Sequence, residues 1–260
     1  MPPAEPVTGP PSLRQRRRAV AVREILTAAE HHIGEHGPAA LSLRAVARSL
    51  GMTVQALYHY FPSRDHLVTA LVAEAYNDLA DAVQAAVDAA PDRTAAPRMV
   101  IAAEGYRGWA TDNPERFQLI YGAPLRHYAA PVEGPTTQAV RRMSAVFQRE
   151  LFGGFTTAQL SAADTPEPSP ELRAQLENLS PDALGALPPP AVSLLLSAWG
   201  QMHGLVALEV FGHTTFIGDH QAEVFHSAMR NMVEGIHRRI PADPAGPGGP
   251  GEGGDPARRQ

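Results

Sequence analysis

Hydrophobic positions along the chain recur at three- and four-residue steps nearly everywhere, and period-2 alternation and Asn-Gly hairpin turns are both missing. Ile25, Ala29 and Ile33 repeat every fourth residue with Val22 and Leu26 beside them, which predicts an amphipathic helix from about Leu13 to His36. Gly37-Pro38 ends it, glycine as the cap and proline as the bar to continuation. A long helix is predicted from near Ser63, with Leu67, Leu71, Ala75 and Leu79 on one stripe. Further helices are predicted at about 95–111, 114–122, 133–152, 190–211 and 218–239. The pattern fails in three places. Residues 1–11 hold five prolines, and 241–260 hold eleven Pro and Gly, so both read as disordered arms. Residues 155–188 read as a long loop with one short helix at "SPELRAQLENL". The expected fold is all-α.

The stretch 42–60, "SLRAVARSLGMTVQALYHY", carries the most information. Ser42 is a good N-cap for a short helix with Val46, Ala47 and Leu50 inward. Gly51 suits the positive φ of a tight inter-helix turn, and Thr53 can cap a second short helix whose Ala56 and Leu57 would pack back on Ala47 and Leu50. Two short helices around a glycine turn make a helix-turn-helix, although any helical hairpin would share that spacing. The outward residues favour DNA: Arg44, Thr53, Val54, Gln55, Tyr58, His59 and Tyr60, followed by Arg64 beside the N-cap candidate Ser63. Gln bonds adenine edges, Val meets a thymine methyl, and Tyr and Arg bond phosphates. Tyr58 and Tyr60 could instead be half-buried core aromatics.

Charge sharpens this picture. Residues 1–65 hold eight Arg against five acids, a net of +3, while the remainder nets −8 with fourteen Arg and twenty-two acids. A basic N-terminal part suits a polyanion. No cysteine is present, which excludes disulfides and thiolate metal sites. With no signal-peptide core and no run approaching ~20 apolar residues, a cytoplasmic protein without a membrane partner is expected.

The segment "AAEHHIGEHGPAALSLRAVARSLGMTVQALYHYFPSRDHL" resembles the DNA-binding domain of the tetracycline-repressor (TetR) family of bacterial regulators. Ala28-Ala29, Gly37, Leu41-Ser42, Val46-Ala47, Leu50-Gly51, Leu57-Tyr58, Tyr60-Phe61, Asp65 and Leu67 carry the resemblance. Arg64 stands where Lys is usual, and His32 where an apolar residue is common. Downstream, "SAWGQMHGLVALEVFGH" (Trp199, then His203-Gly204) and "GYRGWATDNPERFQLIYG" are similar to the C-terminal domain of one TetR subgroup.

The resemblance implies a helix-turn-helix domain at 12–66 and a helical regulatory and dimerisation domain at 67–240, acting as a dimeric repressor on a palindromic operator in double-stranded DNA. It implies dimerisation through the last two helices, with Leu194, Leu205, Leu208, Phe225, Met229 and Met232 as candidates, alternatively ordinary core. Gly200 and Gly204 suggest close helix approach, within the subunit or across the dimer. It also implies a pocket for a small apolar effector, with Trp109, Phe117, Ile120, Tyr121, Met143, Phe147, Met202 and His203 as candidate lining; for each the alternative, and the commoner role, is to fill core. A protein partner controlling the same domain is the alternative. No cofactor is expected.

The enzyme readings fall away. There is no Gly-x-Ser-x-Gly elbow, no phosphate-cradling glycine loop, and no cysteine nucleophile. His32-x-x-Glu35-His36 has the spacing of one class of zinc peptidase, but Ile33 between the histidines belongs to the core stripe and no third ligand is suggested. The histidines are expected instead to cap the helix C-terminus, where His⁺ suits the dipole.

Overall fold

The computed structural model describes residues 12–91, 96–122, 128, 133–179, 184 and 187–242. The arm expected at 1–11, and that expected at 241–260 apart from its first two residues, lie outside the described residues. Among the described residues there is no strand. The α-helices are α1 (Leu13–His36), α2 (Leu43–Ser49), α3 (Val54–Tyr58), α4 (Arg64–Ala89), α5 (Arg98–Asp112), α6 (Pro114–Tyr121), α7 (Pro135–Phe152), α8 (Thr157–Ser161), α9 (Pro170–Glu177), α10 (Pro189–Val210) and α11 (Gln221–His237).

Local chemistry sets the boundaries. Ser42, Thr53 and Ser63 each accept a backbone N–H three residues on, at 3.2, 3.1 and 3.3 Å, capping α2, α3 and α4. Gly37 closes α1 at φ 77°, its N–H donating to the Ile33 carbonyl at 2.7 Å. Gly51 turns between α2 and α3 at φ 62°, a left-handed value that costs other residues strain. The loop expected over 155–188 holds an extra helix, α8. A capping box between Thr156 and Gln159 starts it, and Gln159 Nε2 donates to the Pro241 carbonyl at 3.0 Å.

Two apolar cores form, and α4 belongs to both. The head core gathers Ile25, Ala29 and Ile33 of α1, Val46 and Ala47 of α2, Leu57 of α3 and Leu67 to Val72 of α4. The body core begins at Ala75 on the same helix and takes in α5, α7, α10 and α11. The domain boundary expected at 66/67 therefore falls inside a continuous helix, and packing changes over only after Val72. Gly105 of α5 allows close approach to α4: a Cβ there would lie 2.8 Å from that of Ala86.

Contrary to expectation, one helix, α10, is long and apolar enough to cross a membrane by length and composition. Ala191, Leu194, Leu195, Ala198, Met202 and Val206 pack one side of it into the body core. Its Glu209 takes a bidentate ion pair from Arg107 of α5, so it is built as a core helix.

Candidate nucleic-acid interface and effector cavity

α3 spans only five residues, and its single buried side chain, Leu57, anchors it to the head core. Gln55, Tyr58 and His59 are exposed, as are Thr53 at its cap and Arg44 and Arg48 on α2. Together these form an outward face of amide, phenol, imidazole and guanidinium, the groups that bond base edges and phosphates.

Several positions differ from expectation. Val54 is half-buried and packs on the head core; so does Tyr60, which follows the second of its two expected readings. Ala56, expected to pack inward, is exposed, and α3 meets the head core through Leu57 and Val54 instead. Arg64 is half-buried, its Nε donating to the Leu41 carbonyl at 2.9 Å, so it braces the loop before α2 besides carrying charge. The run "RQRRR" carries no role in the sequence pattern, yet its geometry matters. Arg14, Arg17 and Arg18 line a groove with Leu13, His59 and Tyr60, and the Arg18 guanidinium lies 5.3 Å from the Tyr60 ring centre. The first turns of α1 thus extend the basic face beyond α3. Their adjacency is tertiary, which the run itself does not reveal.

The His32, Glu35, His36 trio does not converge. His32 is half-buried, with Nε2 donating to the Ala40 carbonyl at 3.3 Å, and its ring stacks on His36 at 4.5 Å. Glu35 Oε2 lies 3.3 Å from His31 Nδ1 and 3.9 Å from His36 Nδ1, and does not reach His32. These contacts tie the end of α1 to the turn before α2. Among the described residues no three His, Asp or Glu side chains gather as metal ligands.

In the body, a cavity of about 340 Å³ opens between α4, α6, α7 and α10, lined among the described residues by Tyr76, Tyr121, Val140, Met143, Ser144, Phe147, Leu184, Leu195, Leu196 and Trp199. Of the expected lining, Tyr121, Met143 and Phe147 are on its wall. His203 stands behind it, flat against Trp199 with 5.3 Å between ring centres, and bonded through Nδ1 to the Tyr106 hydroxyl at 2.8 Å. Trp109, Phe117 and Met202 are packed in the core away from the wall. Ile120 sits half-buried at the seam, touching both cores. Sequence reasoning missed the lining aromatics Tyr76 and Trp199, and with them Val140, Ser144, Leu184, Leu195 and Leu196. Trp199 enters the sequence pattern only as part of a motif, and Tyr76 lies on α4, whose apolar stripe reads as structural.

Burial lowers the His203 pKa below the ordinary imidazole value and raises those of Tyr76, Tyr106 and Tyr121 above the phenol range. All four are therefore neutral near pH 7.

α6 joins this cavity to the head. It carries Tyr121 at one end and Arg116 near the other. Arg116 pairs with Glu30 of α1 at 2.9 Å and with Asp78 of α4 at 2.6 Å. The Glu30 pKa is raised, chiefly by burial; Arg116 lowers it, and Glu74 and Asp78 raise it.

Four of the six residues expected at a dimer interface, Leu194, Phe225, Met229 and Met232, are buried in the subunit's own core. Leu194 lies on α10, apolar nearly all round, where periodicity cannot say which side faces the core; Phe225, Met229 and Met232 form the apolar stripe of the amphipathic α11, which the subunit itself buries. Leu205 is half-buried and Leu208 exposed. The open face of α10 and α11 holds Leu196, Ser197, Gly200 and Gln201 beside Val224, Ser227 and Asn231. A Cβ at Gly200 or Gly204 would meet nothing within 4 Å, so these glycines serve no close approach within the subunit.

A helix-turn-helix head with a basic outward face, on an all-helical body, is the architecture of a DNA-binding transcriptional regulator. Comparison with known proteins is specific. Residues 25–71 match the family described as bacterial regulatory proteins, tetR family, and residues 99–232 match the tetracyclin repressor-like C-terminal domain. The HTH-type transcriptional regulator Rv1816 of Mycobacterium tuberculosis (strain ATCC 25618 / H37Rv) is 34% identical over 199 residues, covering 76% of this chain and 84% of that protein. The HTH-type transcriptional regulator Mb1846 of Mycobacterium bovis aligns equally well. Among solved structures, one described as a regulatory protein, SCO4313, superposes with a TM-score of 0.68 at 31% identity, over 86% of this chain and all (100%) of that one. A protein of unknown function from Rhodococcus sp. RHA1 shares the fold, with a TM-score of 0.59 at 24% identity over 89% of this chain and 99% of its own. The chain belongs to the TetR family of transcriptional regulators.

Proposed function

We propose that two copies of the chain bind a palindromic operator and are released when a small, largely apolar effector fills the cavity beside α6. The observation that carries this reading is the physical continuity of α6. One end forms the cavity wall through Tyr121, and Arg116 near the other grips α1 of the head. An effector that displaces Tyr121 shifts α6, and the Glu30–Arg116 pair passes that shift to the head. The populations then move toward a form whose two reading helices no longer match successive major grooves.

The head would read bases through Gln55 and hold phosphates through Arg44, Tyr58 and His59, with Thr53 near the backbone and Arg64 adding charge. Arg14, Arg17 and Arg18 extend the phosphate contacts along α1. The second copy would dock on the open face of α10 and α11. The small residues Ser197, Gly200, Gly204 and Ser227 let helices approach, with Leu196, Leu208 and Val224 as apolar contacts. The test is fluorescence anisotropy with the gene's upstream DNA and with a scrambled duplex at one salt concentration. Equal affinity for both would refute operator recognition.

A further inference from the structure

The cavity is walled by rings and neutral hydroxyls. Tyr76 and Tyr121 meet edge to face at 5.7 Å, and Trp199 lies 6.0 Å from Tyr121. Phe147 adds a fourth ring, 6.2 Å from Trp199. Ring walls of this kind favour a flat aromatic guest over an aliphatic one of equal area.

The volume limits the guest. A cavity of ~150 Å³ holds one benzene ring, so one of about 340 Å³ has room for roughly two rings.

The polar atoms specify the rest. The Tyr121 hydroxyl shares hydrogen bonds with the Tyr76 and Tyr106 hydroxyls and lies 3.9 Å from the Met143 thioether, a weak acceptor whose place a ligand oxygen or ring nitrogen would take. Ser144 Oγ accepts from Gln148 at 3.1 Å and can still donate. The burial that shifts His203 and the phenols toward their neutral forms also penalises a charged guest.

We propose that this cavity binds a neutral, flat aromatic molecule of roughly two rings that presents one hydrogen-bond acceptor to the Tyr121 hydroxyl. The proposal rests on the reading of the cavity as the effector site, and the two can fail separately.

The test is isothermal titration of the full chain with 2-acetylnaphthalene, 2-naphthoate and 2-dodecanone. The first is a neutral aromatic acceptor, the second its charged counterpart, and the third a neutral aliphatic acceptor. The expected result is that 2-acetylnaphthalene binds at least ~10-fold more tightly than either of the others. Tyr121→Phe should weaken it by about tenfold, the loss of one hydrogen bond, while leaving the affinity for 2-ethylnaphthalene, which has no acceptor, unchanged. An equal loss for both ligands would overturn the role of Tyr121. Tighter binding of 2-naphthoate or 2-dodecanone would overturn the ligand class and leave the effector site standing. Heat from 2-acetylnaphthalene with no change in operator affinity would uphold the ligand class and overturn the effector reading. No binding by any of the three would overturn both.

Discussion

Replacing Arg116 with Met removes the charge that links α6 to the head while keeping most of the side chain's bulk. The Arg116 side chain is 22% exposed, Glu30 30% and Asp78 45%. Breaking a fully buried pair costs ~3–5 kcal/mol, and an exposed pair is worth ~0.2–1 kcal/mol. The Glu30 pair lies between these limits and the Asp78 pair near the exposed one, so a loss of roughly 2 kcal/mol is expected at pH 7. Acid should shrink the loss. The folded-state pKa of Glu30 already stands above its unfolded value, because burial dominates. The stability carried by its protonated form is therefore fully present below the unfolded pKa and is lost as pH rises through the folded one. Without Arg116 the folded pKa rises further, with Glu74 and Asp78 still opposing charge. Urea denaturation of wild type and Arg116→Met at pH 7 and pH 5 should give a clearly smaller difference at pH 5. The same variant should bind operator DNA but respond less to effector. Equal deficits at both pH values, or an unchanged effector response, would refute the clasp.

Other expectations follow from packing and charge. Changing Arg14, Arg17 and Arg18 together to Ala should flatten the dependence of log K on log[salt] by up to ~0.9 for each phosphate no longer neutralised, read by anisotropy across a salt series. Leu57→Ala empties the only buried position of α3 and should cost ~2–5 kcal/mol by urea titration, abolishing DNA binding with it. Gly105→Ala would gain ~1 kcal/mol of helix propensity, but the Cβ would lie 2.8 Å from that of Ala86, so a net loss in melting temperature is expected. A Cβ at Gly200 or Gly204 meets nothing inside the subunit, so Gly200→Leu with Gly204→Leu should leave the fold standing while sedimentation shows the dimer weakened.

The head is legible in the sequence because its signals are local. Ser42, Gly51, Thr53 and Ser63 each act within three or four residues, and all four take their expected positions. The outer residues of α3 are harder to read. Whether Val54 or Ala56 faces outward depends on how a five-residue helix leans on α1 and α2. The body shows its helices in the sequence but not their faces. α10 is apolar nearly all round, so Leu194 and Leu208 look alike in sequence, yet one is buried and the other exposed. The cavity is half-legible for the same reason. Tyr121, Met143 and Phe147 sit on helices that the family resemblance places around a pocket, whereas Tyr76 reaches the wall from α4, a helix whose apolar stripe reads as core.

The central claim is that α2 and α3 present a sequence-reading face to DNA. Anisotropy at roughly 150 mM salt should show wild-type protein preferring its own upstream palindrome over random duplex by at least ~10³-fold. Gln55→Ala with Tyr58→Ala, both exposed and outside the head core, should erase that preference without lowering the melting temperature. Preference retained in the double variant, or absent from wild type, would contradict the account.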